Sequence, residues 1–335
     1  ILNPRLNLVC SAGRDSFHPD RRMSMTMLRN LRNFLRPAHG AAVASVTYKP
    51  SHLHLTSRAL FSFSASEPSS RPSGETGQPT PHTHPELLAP GELTPGIPAA
   101  EYASRRRALV ECLKPGGSAL LAASPTVYMA GVIPFPYRQS ADFYYLTGIT
   151  QPGVAMLLER HGASSEHTYT LFVPDADSHY ERWSGWRLDR ESAENHFGAH
   201  QVANISELAA YLSRLLSRGV AKSIAGDAPS TSTSTNGPLL YQVDNEGTPE
   251  AAAALRSAPQ HRVSRSGLQQ LTHRMRWLKS DHELAAMDRS ARASALAMRK
   301  CIAVSHPDVS ESTIQALFEY ETRRMGVTRM AYPPV

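Results

Sequence analysis

The pair His196 and His200, in the stretch ENHFGAH, has the spacing that places two imidazoles on one face of a helix. A structural or catalytic metal site needs at least three protein ligands, and no third ligand lies near this pair in the sequence. We therefore expect structural or solvent-facing histidines and no metal ligand here. His82 and His84 are also closely spaced, but their Pro-rich surroundings offer no scaffold and predict solvated loop side chains.

Carboxylates and arginines give two further groups that could do chemistry. Asp175 and Asp177, in PDADSHYE, follow a proline, and carboxylates in that context usually stabilise a turn. The run Arg105 to Arg107 lies in a predicted helix, where we expect a solvated, ion-paired face and not an anion site. The motifs HExxH, GxSxG, GxGxxG and the phosphate-binding P-loop are missing from the sequence. No set of residues identified in this way could run a reaction by itself.

The elements that would position these residues alternate between helices and strands. Apolar residues recurring at helical spacing predict helices over 99–117 and 205–219. Short apolar runs bounded by turn residues predict strands over 118–123, 142–148, 153–159, 168–173 and 221–227. Residues 228–238, APSTSTSTNGP, have the composition of a low-complexity loop. The alternating order favours an α/β layer over an all-β fold.

A second unit is predicted to begin near residue 263. Ser280 and Glu283 have the spacing of a capping box at the start of a helix. A stripe at three- and four-residue intervals then predicts that one face of this helix is packed, and it consists of Leu284, Met287, Ala291, Ala295, Met298 and Ile302. Another helix is predicted over 310–326, with Ile314, Leu317 and Phe318 facing inward. Two such helices without a partner sheet cannot bury both stripes, so we expect this unit to be incomplete.

The net charge of +6 is concentrated in the N-terminal arm. Residues 1–66 hold nine Lys and Arg against two Asp and Glu, whereas residues 67–335 hold 26 against 27. A nucleic-acid-binding protein would carry its basic patch on the folded domain, so this distribution argues against that class. No run approaches the ~20 apolar residues that span a bilayer. The three cysteines are far apart and form no disulfide framework, which favours a reducing compartment.

The arm itself has the composition of a targeting segment. Residues 23–66 are free of acidic residues, rich in Ser, and contain MLRNLRNFLR, in which Leu and Arg fall on different helical faces; such a segment is typical of a transit peptide. One alternative is a disordered basic tail. The other is that this segment comes from an untranslated region of the transcript that was read as protein sequence. Met23, Met25 or Met27 could be the true start, which would leave residues 1–22 without meaning. Residues 67–98 are rich in Pro, Gly and Ser and predict a disordered linker.

Four motifs, in order and at plausible spacing, resemble one family. YRQSADFYYLTG with QPGVAMLL resembles the N-terminal domain of aminopeptidase P-type proteins, and YERWSGWRL resembles a later signature of that domain. RMRWLKSDHELAAM is similar to the entry to the catalytic pita-bread domain, and FEYETRRMGVTRMAYPPV to the segment before the first metal ligands. The resemblance covers about residues 99–335. It implies an α/β fold in which an N-terminal creatinase-like domain, a mixed sheet flanked by helices over 99–262, precedes a partial pita-bread α+β domain over 263–335.

The resemblance also implies an activity. Members are metallo-aminopeptidases that remove single N-terminal residues, often before proline, with two metal ions, typically manganese, held by two Asp, one His and two Glu. Two metals can polarise the scissile carbonyl and supply a bridging hydroxide. All five ligands belong to sequence after Val335, so none is assigned here, and the chain as given is expected to be inactive and to bind no manganese. The arm points to the mitochondrial branch, the Xaa-Pro aminopeptidase 3 and intermediate-cleaving peptidase type, with a chloroplast form as the alternative.

One residue carries a functional expectation by the same resemblance. Trp183 corresponds to a family tryptophan that reaches a neighbouring subunit's active site, which implies a homo-oligomer acting on peptide or protein N-termini. The alternative interpretation of Trp183 is an ordinary half-buried aromatic side chain without a functional role. For the aromatic-rich stretch 133–148, IPFPYRQSADFYYLTG, we predict a structural role: Tyr137, Phe143 and Tyr145 fill the core, while Arg138, Gln139 and Asp142 tie neighbouring loops. A second hypothesis for the whole chain is a non-catalytic oligomerisation or binding module.

Overall fold

A six-stranded mixed sheet lies at the centre of the computed structural model, which describes residues 71, 74–162, 165–217, 239–242, 248–265 and 267–334. The predicted transit peptide, the upstream segment 1–22, the predicted strand 221–227 and the loop 228–238 lie outside the described residues. The predicted α/β architecture, with a mixed sheet flanked by helices, is confirmed.

The sheet combines strands that are distant in sequence. Its order is β10-β9-β3-β6-β7-β8. β6 runs antiparallel to β3 and β7, whereas the pairs β7–β8, β3–β9 and β9–β10 are parallel. Two short antiparallel pairs, β1–β2 and β4–β5, lie outside it. The strands are β1 (Glu92–Thr94), β2 (Ile97–Pro98), β3 (Ser118–Ala122), β4 (Tyr128–Ala130), β5 (Ile133–Pro134), β6 (Ala155–Arg160), β7 (His167–Val173), β8 (Gln201–Asn204), β9 (Leu239–Gln242) and β10 (Val263–Ser264).

Helices cover both faces of the sheet and create two apolar cores. Tyr169 and Leu171 of β7 face the core made with α1, α2, α4 and α7, and Phe172 faces the core made with α5 and α6. This alternation follows from the two-residue period of a strand. We call β1–β10 with α1–α7 the sheet domain. The helices are α1 (Ala99–Cys112), α2 (Ala141–Thr147), α3 (Ser178–Ser184), α4 (Arg190–Asn195), α5 (Leu208–Ser217), α6 (Pro249–Ser257), α7 (Leu268–Trp277), α8 (Asp281–Val304) and α9 (Glu311–Arg324).

The prediction of a strand over 142–148 is wrong, because this segment forms α2. Ser140 caps the helix by accepting a hydrogen bond from the amide of Phe143, and Gly148 ends it in the left-handed conformation at φ 72°. A Cβ at Gly148 would lie 3.0 Å from Leu93, so the position requires glycine for space as well as for conformation. These two end signals outweigh the strand preference of the aromatic residues between them.

The prediction of a disordered linker is wrong for residues 74–98. Gln78 donates from Nε2 to the carbonyl of Gly148 at 3.1 Å and accepts from the amide of Thr150 at 2.9 Å. Leu88 and Leu93 are buried, and Leu93 belongs to the core that α1 and α2 share. Composition alone misleads here because a polar side chain can be buried when its hydrogen bonds are satisfied.

The elements β10 and α7, which follow the boundary predicted at residue 262, still pack with the six-stranded sheet. β10 pairs in parallel with β9 as the edge of the six-stranded sheet. Leu268 of α7 is fully buried in the same core as α1 and α2. The chain therefore leaves the sheet domain only where α8 begins.

The helices α8 and α9 pack against each other through small side chains. Ser280 and Glu283 form the predicted capping box at the start of α8, which confirms that prediction. The buried residues of α8 are Ala293, Ala297 and Cys301, which allow close approach to α9. The prediction that the larger stripe packs is wrong within the described residues, because its members are exposed: Leu284, Met287, Ala291, Ala295, Met298 and Ile302. The predicted inward residues of α9 are half-buried, namely Ile314, Leu317 and Phe318.

A search of the described helices for a membrane-spanning segment finds none that is both long enough and apolar enough.

Candidate functional site

The stretch 133–148 ties several loops together, as predicted. Gln139 accepts from the amide of Ser124 at 2.8 Å, and its Nε2 donates to the carbonyls of Ile149 and Gln151 at 3.2 and 2.9 Å. The Tyr137 hydroxyl donates to the carbonyl of Ser124 at 2.9 Å, and burial raises the pKa of this tyrosine well above its usual value. A single glutamine thus holds the loop before β4, the loop before α2 and the loop after α2 in one arrangement.

Of the three aromatic residues predicted to fill the core, one does so completely. Phe143 is fully buried in the core shared by α1 and α2. Tyr145 packs against that core and is only partly buried. Tyr137 is half-buried and lines a cleft of about 530 Å³ together with Val127 and Phe135, which are exposed.

The cleft lies beside the C-terminal segment that follows α9. Its wall includes Arg138, whose Nη1 donates to the carbonyl of Ala331 at 2.7 Å. This bond joins the sheet domain to the segment that resembles the approach to the family's metal ligands. The lining combines prolines and aromatics with Arg138 and Arg265, so apolar and positively charged side chains lie side by side in this cleft.

A buried carboxylate connects α2 to α7. Asp142 is only 3% exposed. Its Oδ1 accepts from Nη1 of Arg276 at 2.7 Å, and its Oδ2 lies 3.6 Å from Nε2 of His273. A carboxylate removed from water needs such a charge-assisted partner. Asp142 therefore fixes α7, the helix that leads into α8, against the core of the sheet domain.

A second polar cluster joins α1 to the start of α8. Ser280 donates from Oγ to Glu101 at 2.7 Å, so the N-cap of α8 is itself held by α1. Arg105 pairs with Glu101 and lies 3.4 Å from the Glu283 carboxylate. The same side chain donates from Nη1 to the carbonyl of Tyr145 at 3.0 Å and stacks 4.2 Å from the centre of that ring. The first turn of α8 is thereby attached directly to the sheet domain.

The prediction of a solvated face for Arg105 to Arg107 is wrong for two of the three residues. Arg105 and Arg106 are buried, and only Arg107 is exposed. Both buried guanidinium groups donate to main-chain carbonyls at the end of α2, Arg106 to Leu146 at 3.0 Å. Helical spacing from Tyr102 and Leu109, which are buried on the same helix, was the signal that could have revealed this.

The histidines and aspartates considered as ligands lie in loops or at helix ends. His196 ends α4 and His200 follows a turn, so the two do not share a helix face. Asp177 caps α3 by accepting from the amide of Tyr180 at 3.0 Å, which is the local role predicted for it. Asp175 instead accepts a long-range hydrogen bond from the Ser206 hydroxyl at 2.8 Å. His82 and His84 are exposed. Among the described residues no group of three or more His, Cys, Asp or Glu side chains could hold a metal ion.

Trp183 lies near the end of α3 and is 80% exposed. No residue of α3 is buried, and Asp177 and Gly185 fix the two ends of this short helix. A large aromatic side chain held in water by a short capped helix is available for contact with another molecule. Its predicted role in a neighbouring subunit's pocket stays a prediction.

The fold and these motifs define an aminopeptidase P N-terminal domain. A family model described as "Aminopeptidase P, N-terminal domain" matches residues 102–224, the part that contains most of α1, the helices α2 to α5 and strands β3 to β8. Residues 102–224 therefore belong to the family of aminopeptidase P N-terminal domains.

Curated relatives extend the similarity beyond that domain. The chain is 34% identical over 261 residues to "Intermediate cleaving peptidase 55, mitochondrial" of Arabidopsis thaliana, an alignment covering 78% of this chain and 48% of the relative. It is 29% identical over 274 residues to "Xaa-Pro aminopeptidase 3" of Homo sapiens, covering 79% and 52%. The chain spans about half the length of the curated relatives it matches.

Solved structures show the same fold. Icp55 from Saccharomyces cerevisiae aligns with a TM-score of 0.59 at 24% identity, over 73% of this chain and 52% of that one. A variant of Escherichia coli aminopeptidase P aligns with a TM-score of 0.57 at 26% identity, over 69% and 50%.

Proposed function

We propose that the protein is a metallo-aminopeptidase of the Xaa-Pro type that removes single N-terminal residues from peptides or imported proteins. The observation that supports it most is the continuity of the similarity, which covers 78% of the chain and runs through the sheet domain at 34% identity to a curated peptidase. The attachments between the sheet domain and α8, made by Arg105 and Glu101, add support. Asp142 adds to this by holding α7, the helix that precedes α8. They would give a following catalytic domain a fixed orientation.

The described residues do not fit a site for the two manganese ions that the family resemblance implies, because they hold no convergent ligand group. We assign no step of the reaction to them. Their part in the proposed function is positional. The cleft beside Ala331 and the exposed Trp183 would line the approach of a peptide, and the buried Asp142 would hold α7 and α8 in place.

We propose that Trp183 reaches the substrate pocket of a neighbouring subunit in a homo-oligomer. Its exposure supports this role, since an intramolecular core residue would be buried. Tryptophan is also among the residues that interfaces use most strongly.

We propose a mitochondrial location, with residues 23–66 as the transit peptide. The acid-free, Arg-containing composition of that segment supports it, as does the similarity to the mitochondrial intermediate cleaving peptidase 55 of Arabidopsis thaliana.

The polypeptide produced from the complete gene and the 335-residue chain should be purified and compared in one assay. We expect the complete product to hydrolyse an Xaa-Pro peptide in a reaction that a chelator abolishes. We expect the 335-residue chain to bind no stoichiometric manganese by elemental analysis, because its described residues lack a ligand group. One or two tightly held ions per 335-residue chain would show that a metal site lies within it. A complete product without chelator-sensitive turnover would refute the enzyme and favour the binding module.

A further inference from the structure

A second cleft, of about 380 Å³, lies between α1, β7 and the end of α4, away from the cleft beside Ala331. We call it the α1–β7 cleft. Its volume falls in the range typical of small-molecule sites. The described residues that line it include no carboxylate. They include five basic side chains, namely Arg106, Arg107, His167, His196 and His200.

Arg106 is a buried charge that has no carboxylate partner among the described residues. It is 5% exposed, and none of the ion pairs among the described residues includes it. One of its nitrogens, Nη1, donates to the carbonyl of Leu146, and the guanidinium stacks 4.1 Å from the centre of the Tyr169 ring. Burial lowers the pKa of Arg106, as expected for a cation removed from water. A buried cation of this kind is costly unless an anion compensates it.

Two further polar atoms at the cleft lack hydrogen-bond partners within the described part of the chain. The Tyr169 hydroxyl and Nε2 of His196 are buried and have no hydrogen-bond partner among the described residues. Burial raises the pKa of Tyr169 to about 12, so its hydroxyl keeps its proton and can donate. Buried polar groups are paired in the great majority of native structures, so two unpaired atoms at one cleft call for a ligand.

His200, which also lines the cleft, can donate a hydrogen bond from Nε2. Nδ1 of His200 accepts from the amide of Tyr169 at 3.0 Å, which leaves the ring proton on Nε2. Gly198 adopts φ 66° beside it, and a Cβ there would meet only Nη2 of Arg106, at 4.0 Å. The space in front of the guanidinium is therefore left open by a residue without a side chain.

We propose that the α1–β7 cleft binds a tetrahedral oxyanion, such as the phosphate group of a small molecule, with Arg106, Arg107 and the Tyr169 hydroxyl as its donors. These donors come from two separate elements, α1 and β7, and one nitrogen of the Arg106 guanidinium is already bonded to the carbonyl of Leu146. That arrangement suits several oxygens pointing in different directions better than a flat carboxylate held by a guanidinium fork. The inference does not depend on the proposed peptidase activity.

Calorimetric titration of the 335-residue chain with inorganic phosphate, and separately with acetate, tests the site. We expect saturable phosphate binding that is at least about tenfold tighter than acetate binding, and loss of about tenfold or more in affinity in Arg106→Gln and Arg107→Gln. Arg107 is exposed, so its replacement should not disturb folding. Arg256→Gln is the matched control, because it removes an exposed helical arginine and the same charge away from the cleft.

Tyr169→Phe separates the hydroxyl from the rest of the side chain. It keeps the ring under Arg106 and removes an atom that has no partner among the described residues, so the variant should fold and bind phosphate about tenfold more weakly. Undetectable phosphate binding at ~10 mM by the unaltered chain, equal affinity in Arg107→Gln and Arg256→Gln, or acetate bound as tightly as phosphate would each overturn the proposal. Unchanged affinity in Tyr169→Phe would overturn the arrangement of donors.

Discussion

Replacing Asp142 by Asn tests how strongly the sheet domain holds α7. The substitution keeps the size of the side chain and its position in the first turn of α2, but it removes the charge that faces Arg276 and His273. Hydrogen bonds between charged groups contribute roughly 1.5–3 kcal/mol, and a negative charge in the first turn of a helix contributes about 0.3–1 kcal/mol more. The Arg276 side chain is 37% exposed and stays hydrated after the change, so the larger penalty of a fully buried orphan charge does not apply. We expect the free energy of unfolding to fall by about 2–3 kcal/mol.

Urea unfolding of the two proteins measures this difference. Asp288→Asn is the matched control, since Asp288 accepts from Arg292 at the same 2.7 Å distance but both side chains are largely exposed, at 58% and 76%. An exposed pair of this type contributes roughly 0.2–1 kcal/mol. Equal losses in the two variants, or a loss below about 0.5 kcal/mol for Asp142→Asn, would refute the view that Asp142 anchors α7.

Three further outcomes follow from the same structure. Trp183→Ala should change the free energy of unfolding by less than about 0.5 kcal/mol, because the side chain is exposed, yet lower the turnover of short peptides by the complete gene product; unchanged kinetics would contradict the proposed pocket role. Residues 23–66 fused to a fluorescent reporter should direct it to mitochondria, and a purely cytosolic signal would count against the transit peptide. Burial lowers the pKa of His196, so the unfolded chain binds more protons there, and the free energy of unfolding should fall as pH drops below about 6.5. His196→Gln should weaken that pH dependence. If the free energy of unfolding in urea varies with pH identically in the variant and the unaltered protein, the proposed contribution of His196 is refuted.

The capping signals were the most informative part of the sequence. Ser280 and Glu283 predicted the start of α8 correctly, because a capping box is a local pattern that needs no tertiary partner. Ser140 and Gly148 mark the ends of α2 in the same way, but the aromatic residues between them favoured a strand. The capping residues at the two ends of this segment determine its helical structure more strongly than the strand preference of its aromatic side chains.

Long-range partners could not be read from the sequence. The burial of Arg106 depends on the carbonyl of Leu146 and the ring of Tyr169, which other elements supply. The defined structure of residues 74–98 likewise depends on the long-range hydrogen bond from Gln78 to the carbonyl of Gly148 at the end of α2. The exposed stripe on α8 shows the converse, since helical periodicity identifies an apolar face without telling which face a neighbouring helix covers.

The parallel pairing of β3 with β9 sets a lower limit on the fragment that can fold alone. Ser118 lies opposite Leu239, and the five residues of β3 are all buried. A polypeptide ending at residue 224, where the family match ends, would leave one side of β3 as an open edge and would lack α6 and α7. Unpaired buried strands of this kind are templates for aggregation. Shortened versions meant for soluble expression should therefore extend at least to the end of α7, at Trp277.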